Sequence, residues 1–79
     1  MKHPFDVHVG NRIRQGRRRA GLTEQELADM LGISQMQIRA VEAGAVRVEP
    51  ELMRKVVARL GIPEGFLFKG LVNALRAAA

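Results

Sequence analysis

Cysteine is absent from this 79-residue sequence, which excludes disulfide bonds and thiolate metal sites. The only histidines, His3 and His8, have neither a cysteine nor a cluster of carboxylates nearby, so we expect no metal site. No apolar run approaches the roughly 18 residues that a membrane-spanning helix needs, and the first ten residues lack the apolar segment of a signal peptide. These absences predict a soluble, cytoplasmic protein without a membrane contact.

Groups of residues that could carry out catalysis are missing as well. The sequence has no Ser-His-Asp or Cys-His set, no glycine-rich phosphate loop and no paired-carboxylate motif, so we expect no enzymatic activity, no cofactor and no small-molecule ligand. Aromatic residues are limited to three phenylalanines near the ends of the chain. None interrupts a basic segment, which argues against the base stacking used by single-strand and RNA binders.

Basic residues outnumber acidic ones by 13 to 8, and a net charge of +5 on one small domain favours a polyanionic partner. The charge is unevenly distributed. Residues 1–20 hold six basic side chains and one acid, Asp6, whereas residues 21–44 hold four acids and one base, Arg39. Attraction to phosphates would therefore come from the first helix and from the segment after Gly44. Taken alone, the run from Arg17 to Arg19 is equally compatible with a solvated helix face.

The only threonine and the only serine of the sequence mark the starts of two short helices. Thr23 is followed three residues later by Glu26, and Ser34 by Gln37, which is the spacing of a reciprocal capping box. Between the two boxes, Gly32 can adopt the positive φ that ends one helix and begins a sharp turn. The stretch from Thr23 to Gly44 therefore predicts a helix, a tight turn and a second helix.

The second of these helices has two different faces. At about 100° per residue, Ile38 and Val41 point toward the core. The opposite face and its flanks carry small, polar or flexible side chains: Gln35, Met36, Gln37, Arg39, Ala40 and Ala43. Amides and a guanidinium can bond to base edges, and methionine or alanine can lie against a thymine methyl group. The alternative is an ordinary solvated face.

Three further helices complete the predicted domain. The first is expected to begin at Asp6 as N-cap and to end at Ala20, with Val9, Ile13 and Ala20 buried and Gly16 allowing close approach of another helix. The fourth is expected from Pro50 to Leu60, with Leu52, Val56, Val57 and Leu60 facing the core. A fifth, short helix is expected between Pro63 and Gly70. The segment after Gly70 is compatible with either a helical extension or a frayed end.

The stretch GNRIRQGRRRAGLTEQELADMLGISQMQIRAVEAG, together with the later Leu60-Gly61-Ile62, resembles the phage repressor and Cro class of helix-turn-helix domains, often called Xre-like. The matching positions share one register: Arg17, Gly21, Thr23, Leu27, Ala28, Gly32, Ile38, Glu42 and Gly44. The resemblance implies a compact all-α, five-helix, lambda-repressor-like fold in which helices 2 and 3 form the helix-turn-helix. We expect residues 1–8 to form an arm and the start of helix 1, and residues 9–70 to form the DNA-binding domain. Residues 71–79 are expected as a C-terminal tail that is either a helix extension or a dimer contact.

The resemblance also implies roles for particular side chains. Helix 3 would enter the major groove and contact bases through Gln35, Met36, Arg39 and Ala40. The DNA backbone would be contacted by Arg12, Thr23, Gln25, Ser34, Gln37 and Arg47. Arg17 and Glu42 would form a structural ion pair between helices 1 and 3. The sequence departs from the family at Glu24, where a phosphate-contacting glutamine is frequent and where the negative charge would repel phosphate, and at Met36, where a polar reader is common.

These features predict a sequence-specific regulator that binds double-stranded DNA as a homodimer at a pseudo-palindromic operator, most simply as a repressor. The dimer interface is expected in the apolar C-terminal segment, at Phe66, Phe68, Leu71 and Leu75. An alternative is an antitoxin or small adaptor whose main partner is a protein and whose DNA binding is secondary. The exposed Met36, Ala40 and Ala43 would suit a protein groove as well as a thymine methyl group.

Overall fold

The computed structural model describes residues 2–78, and in this range it contains five α-helices, one short 3-10 helix and no strand. Met1 and Ala79, which fall in the predicted arm and tail, lie outside the described residues. The predicted all-α, five-helix fold is confirmed. The elements are α1 (Pro4–Arg19), α2 (Glu24–Leu31), α3 (Gln35–Glu42), α4 (Pro50–Leu60), the 3-10 helix (Glu64–Leu67) and α5 (Leu71–Ala78).

The start of α1 differs from the prediction that Asp6 is its N-cap. His3 caps the helix instead, because its Nδ1 atom accepts a hydrogen bond from the Phe5 N–H at 3.1 Å. Pro4 follows in the first turn, where the backbone needs no N–H donor. Asp6 therefore lies inside the first turn, where a negative charge interacts favourably with the helix dipole, and its side chain is largely buried.

The core lies where α1, α2 and α3 meet, and α4 closes one side of it. Its fully buried large side chains come from four helices and the 3-10 helix, and they are Val9, Ile13, Leu27, Ile38, Val56 and Leu67. Burial of such a side chain stabilises a fold by about 1.5–3 kcal/mol. Ala20, which we expected in the buried stripe of α1, is exposed because it already lies at the helix C-cap. On α4 only Val56 is fully buried, while Leu52, Val57 and Leu60 pack partly buried against the core.

Two glycines of α1 allow other elements to approach the helix closely. As predicted, Gly16 is buried, and a Cβ atom there would lie 3.2 Å from Leu60 Cδ1. The closer approach, which the sequence did not indicate, is at Gly10. A Cβ atom at Gly10 would lie 2.2 Å from the carbonyl oxygen of Val41, near the end of α3. The first helix and the third therefore touch backbone to backbone.

The C-terminal region differs in part from the prediction. The segment between Pro63 and Gly70 forms only a short 3-10 helix in place of the expected fifth helix. Residues 71–78, for which the sequence allowed either a helical extension or a frayed end, form α5. Gly70 separates the two with a φ of 82°, a conformation that interrupts any continuous α-helix. After Gly70, α5 packs against α1.

Candidate nucleic-acid interface

The α2 and α3 helices are held at a fixed angle by their caps and by the glycine between them. Both predicted capping boxes are present. The hydroxyl of Thr23 accepts from the Glu26 N–H at 3.1 Å, and that of Ser34 accepts from the Gln37 N–H at 3.1 Å. In the reverse direction, the Thr23 N–H donates to Oε1 of Glu26 at 2.9 Å, and the Ser34 N–H donates to Oε1 of Gln37 at 2.8 Å. Gly32 ends α2 with a φ of 72°. The turn is therefore specified by local sequence.

The α3 helix presents one face to the core and the other to solvent. Ile38 and Val41 are buried, whereas Met36 is 79% exposed and projects from the first turn. Arg39 is also exposed, and Gln35 and Ala40 lie half-buried at the edges of the same face. The four predicted base-contacting residues therefore share one accessible surface. Its mixture of an amide, a guanidinium and apolar groups can contact base edges and thymine methyl groups.

Arg39 is held by a carboxylate from the neighbouring helix. Its Nε atom donates to Oε1 of Glu24, in the first turn of α2, at 3.3 Å. The arginine side chain remains 62% exposed and that of Glu24 29% exposed. The bond uses one edge of the planar guanidinium, which leaves the donors of both terminal Nη groups for another partner. The sequence indicated Glu24 only as a charge that would repel phosphate.

Arg47, in the loop between α3 and α4, is held in a similar way. Its Nε atom donates to Oδ1 of Asp6 in α1, and its guanidinium lies 4.8 Å from the ring centroid of Phe5. The next residue, Val48, is buried and fixes the loop to the core. Arg47 itself is 57% exposed. The loop therefore presents this arginine to solvent from an anchored backbone, on the chain segment that directly follows α3.

Arg17 and Glu42 form a buried, bidentate ion pair. Arg17 donates to the two oxygens of Glu42 at 2.7 and 2.9 Å, and to the Leu22 carbonyl at 2.9 Å. Arg14 adds a longer contact to Glu42 at 3.4 Å from the more exposed side. The hydrogen bond with Glu42 raises the pKa of Arg17 against the opposing effect of burial, and the negative charges of Glu42 and Glu24 raise it further. The pair ties α1 to the C-terminal end of α3.

The other residues predicted to contact the DNA backbone differ in whether they keep a hydrogen-bond donor available. The Thr23 and Ser34 hydroxyls and the Gln37 side chain accept bonds within their capping boxes, but each keeps a donor that a phosphate could accept. Gln25 instead donates its amide to Oδ1 of Asp29 at 2.8 Å. A phosphate contact by Gln25 would therefore lie beside a carboxylate.

Arg12 is engaged inside the domain. Its Nε atom donates to the Phe66 carbonyl at 2.7 Å, its Nη1 atom donates to Oε1 of Gln15 at 2.7 Å, and its guanidinium lies 3.9 Å from the Phe66 ring centroid. Arg19 approaches the same ring at 5.3 Å. These contacts join α1 to the 3-10 helix, and they leave the two N–H donors of Nη2 and one of Nη1 on Arg12 for a phosphate. Cation–π stacking of this kind stabilises the fold by about 0.5–1 kcal/mol at exposed sites.

The four residues predicted for a dimer interface differ in exposure. Phe66 is partly buried under the two arginines, and Leu71 is partly buried where α5 packs on α1. Phe68 and Leu75 are exposed, and Val72 between them is 62% exposed. Three apolar side chains, Phe68, Val72 and Leu75, are therefore exposed in the C-terminal segment.

The described residues contain no cluster of histidine, cysteine or carboxylate side chains that could hold a metal ion. None of the helices between residues 2 and 78 has the length and apolar character needed to cross a membrane. His3 is used as a helix cap.

Sequence comparison identifies the family. Residues 13–67 match the helix-turn-helix family. An uncharacterized HTH-type transcriptional regulator from Sinorhizobium medicae (strain WSM419) is 36% identical over 67 residues, which cover 85% of this chain and 48% of the relative. The chain belongs to the Xre/Cro-like helix-turn-helix family. An uncharacterized transcriptional regulator in the ATPase CF(0) region of Rhodospirillum rubrum is 33% identical over 69 residues, which cover 87% of this chain and 64% of that protein.

Two solved structures of helix-turn-helix proteins have a similar fold. The restriction-modification controller protein C.AhdI from Aeromonas hydrophila is 31% identical, with a TM-score of 0.73 over 78% of this chain and 94% of that one. The clp gene regulator ClgR from C. glutamicum is 27% identical, with a TM-score of 0.77 over 95% and 94% of the two chains.

The family is one of DNA-binding transcriptional regulators, which are generally not enzymes. The chain spans about half to two thirds of the length of the curated relatives it matches. The matched region covers α2, the turn, α3 and α4 in full. It therefore includes Arg39 on α3 and Arg47 in the loop that follows, both of which are exposed.

Proposed function

We propose that this protein is a sequence-specific regulator that binds double-stranded DNA as a homodimer, with α3 in the major groove. The observation that carries the proposal is the outward face of α3. Its two ends are fixed by the Ser34 capping box and by the buried Arg17–Glu42 pair, and its exposed side offers an amide, a guanidinium and apolar groups. A fixed helix of this composition suits the major groove, which presents a distinct donor and acceptor pattern for each base pair.

Base reading and backbone contact would be divided between different side chains. Gln35, Met36, Arg39 and Ala40 are the proposed base contacts, because they share the accessible face of α3. The proposed backbone contacts are Arg47 and the polar side chains at the helix starts, which are Thr23, Ser34 and Gln37. The predicted roles of Gln25 and Arg12 have weaker support, because Gln25 bonds to a carboxylate and Arg12 is engaged with Phe66.

Two copies of the domain would be needed for useful specificity, since one recognition helix reads only a few base pairs. A two-fold symmetric dimer places its recognition helices in half-sites about 34–36 Å apart, or a multiple of that spacing. The exposed surface at Phe68, Val72 and Leu75 supports an interface at this end of the domain. Occupancy of an operator by such a dimer would repress transcription by blocking polymerase.

Selection of duplexes from a random double-stranded pool, followed by fluorescence anisotropy at several salt concentrations, tests the proposal. Arg39→Ala should lower affinity for the selected duplex and remove about 1–3 kcal/mol of discrimination at one base pair. Arg47→Ala should weaken selected and random duplexes alike and reduce the salt slope by about one phosphate contact. Arg59→Ala, which removes an exposed arginine from the last turn of α4, serves as the charge-matched control.

Other results would contradict the proposal. If no duplex is enriched, or if affinity for DNA is weak and insensitive to salt, DNA reading is not the function of α3. An antitoxin or adaptor with a protein partner would then be the better assignment. If Arg39→Ala and Arg47→Ala lower the affinities for selected and random DNA by the same factor, the division between base and backbone contacts is wrong.

The dimer interface can be tested separately by sedimentation velocity. Leu71→Glu combined with Leu75→Glu should give a folded monomer that loses tight binding to a palindromic duplex. Because Leu71 is partly buried, circular dichroism must show that the variant keeps its helices. Val72→Glu provides a second test at a side chain that is already exposed. A dimer that survives all three substitutions, or a wild type that stays monomeric on its operator, would remove the C-terminal interface.

A further inference from the structure

The contact between Glu24 and Arg39 joins the first turn of α2 to the outward face of α3. The residues are 15 positions apart in the chain, and Oε1 of Glu24 accepts from Nε of Arg39 at 3.3 Å. Both side chains are accessible, and an exposed ion pair contributes only about 0–1 kcal/mol to folding. The contact therefore adds little to stability, although it restricts an arginine at the centre of the proposed reading surface.

We propose that Glu24 is a specificity-determining positioning residue, which holds Arg39 so that its two terminal Nη groups are presented together to a guanine. This inference rests on the proposed DNA-binding function and assigns Glu24 a role within it. Glu24 itself contacts no base. It acts through Arg39.

The geometry of the guanidinium supports this assignment. Arginine presents five N–H donors in a planar fork, and a guanine offers two acceptors, O6 and N7, in the major groove. When the Nε edge is occupied by Glu24, the edge formed by the two Nη groups is the one left for the base. Fixing an unrestrained arginine side chain on DNA costs about 1.5–2 kcal/mol of side-chain conformational entropy. Because Glu24 already restricts Arg39 before DNA binds, part of this cost is met in the unbound protein.

The charge of Glu24 supports the same conclusion. At the first turn of α2 a carboxylate cannot donate a hydrogen bond to a phosphate and would repel it. Here the negative charge faces cations instead, because Glu24 bonds to Arg39 and its charge also raises the pKa of Arg17, after the larger effects of Glu42. A residue that weakens general attraction to DNA but orients a base-reading arginine should lower affinity for random DNA and raise selectivity.

The test compares wild type, Glu24→Ala, Glu24→Gln, Arg39→Ala and the double variant Glu24→Ala/Arg39→Ala on two duplexes. One is the duplex enriched by the wild type from a random pool, and the other differs from it only at the base pair whose preference Arg39→Ala abolishes. Glu24→Ala should reduce the preference for the enriched duplex by about two- to fivefold, the range expected for loss of one exposed pair. Its affinity for random DNA should stay equal or rise, since a negative charge is removed.

Two comparisons separate positioning from a merely structural role. Glu24→Gln keeps an oxygen that can accept from Nε, so it should restore most of the preference. In the Arg39→Ala background, Glu24→Ala should no longer change the preference. Glu51→Gln is the matched control, because Glu51 is also an exposed acid in the first turn of a helix, and this substitution should leave the preference unchanged.

The outcomes distinguish this inference from the function on which it rests. If the wild type enriches a duplex but Glu24→Ala keeps the full preference, or lowers affinity for both duplexes equally, the positioning role is refuted and the DNA-binding function stands. If Glu24→Ala changes the preference equally with and without Arg39, the effect does not act through Arg39 and the inference is again refuted. If the wild type enriches no duplex, both the function and the positioning role fail.

Discussion

Replacement of Glu42 by alanine provides the most direct test of how the recognition helix is fixed. The side chain of Glu42 is buried, and it accepts two short hydrogen bonds from Arg17 and a longer one from Arg14. After Glu42→Ala, the guanidinium of Arg17 stays in the same largely buried position with the Leu22 carbonyl as its remaining acceptor. A buried charge without its counterion destabilises the folded state far more than loss of a surface pair.

The expected loss is about 3–5 kcal/mol, the range measured when one partner of a buried pair is removed. A domain of this size has about 5–15 kcal/mol of stability in total. Each kcal/mol lowers the melting temperature of a 60–100-residue domain by about 4–8 °C, so Glu42→Ala should lower it by roughly 12–40 °C. We therefore expect a folding defect first and loss of DNA binding as its consequence.

Thermal melting followed by circular dichroism measures this effect, and two variants serve as controls. Arg14→Ala removes the longer and more exposed contact to Glu42 and should change the stability by only about 0–1 kcal/mol. Arg17→Met combined with Glu42→Leu removes both charges and should recover part of the loss, since no charge is left unpaired in the core. An unchanged melting temperature for Glu42→Ala would refute the argument that this pair ties α1 to α3.

Three further predictions concern stability. Gly10→Ala should destabilise the domain, because its Cβ atom would lie 2.2 Å from the Val41 carbonyl and α1 would have to move away from α3; a melting temperature equal to that of wild type would contradict this approach. Val48→Ala removes two methyl groups from a buried site and should destabilise by about 2 kcal/mol in chemical denaturation, and a change within error would mean that Val48 does not anchor the loop. The hydrogen bonds with Thr23 lower the pKa of Glu26, so its contribution to stability is present above its unfolded pKa and is lost as the pH falls through its folded pKa. The difference in melting temperature between wild type and Glu26→Gln should therefore be present at neutral pH and close on acidification, and a difference independent of pH would argue against the charged cap.

The helix-turn-helix could be predicted because its signals are local. A hydroxyl followed three residues later by an acid or amide specifies a helix start through contacts within one turn, and Gly32 specifies the helix end through its own φ. The same holds for α4, which begins at Pro50 and ends before Gly61. In each case the interacting groups lie within a few residues, so the sequence contains the whole interaction.

The parts that could not be predicted depend on contacts between distant residues. Asp6 is of a residue type that is favoured at the N-cap, but in the fold its side chain accepts a hydrogen bond from Arg47, which lies 41 residues further along the chain. Glu24 appeared as an obstacle to phosphate binding until the fold placed it against Arg39. The approach of α1 to α3 at Gly10 likewise depends on the packing of two helices. Opposite charges in the sequence do not by themselves indicate which of them will meet.

The acidic character of the helix-turn-helix segment is explained by these contacts. Each of its four acids has a hydrogen-bonded partner inside the domain. Glu24 bonds to Arg39, Glu26 to the Thr23 backbone, Asp29 to Gln25 and Glu42 to Arg17.

The acidic residues between positions 21 and 44 therefore help to hold the segment together. In the same way, Nε of Arg39 donates to Glu24 and Nε of Arg47 donates to Asp6, while both arginine side chains remain exposed. A surface built from such paired arginines offers less net positive charge but better-defined donor directions than one built from free side chains. Because counterion release depends on the number of phosphates neutralised, we expect the affinity for DNA to fall as salt rises, with a slope set by the number of phosphate contacts, together with a preference for particular base pairs.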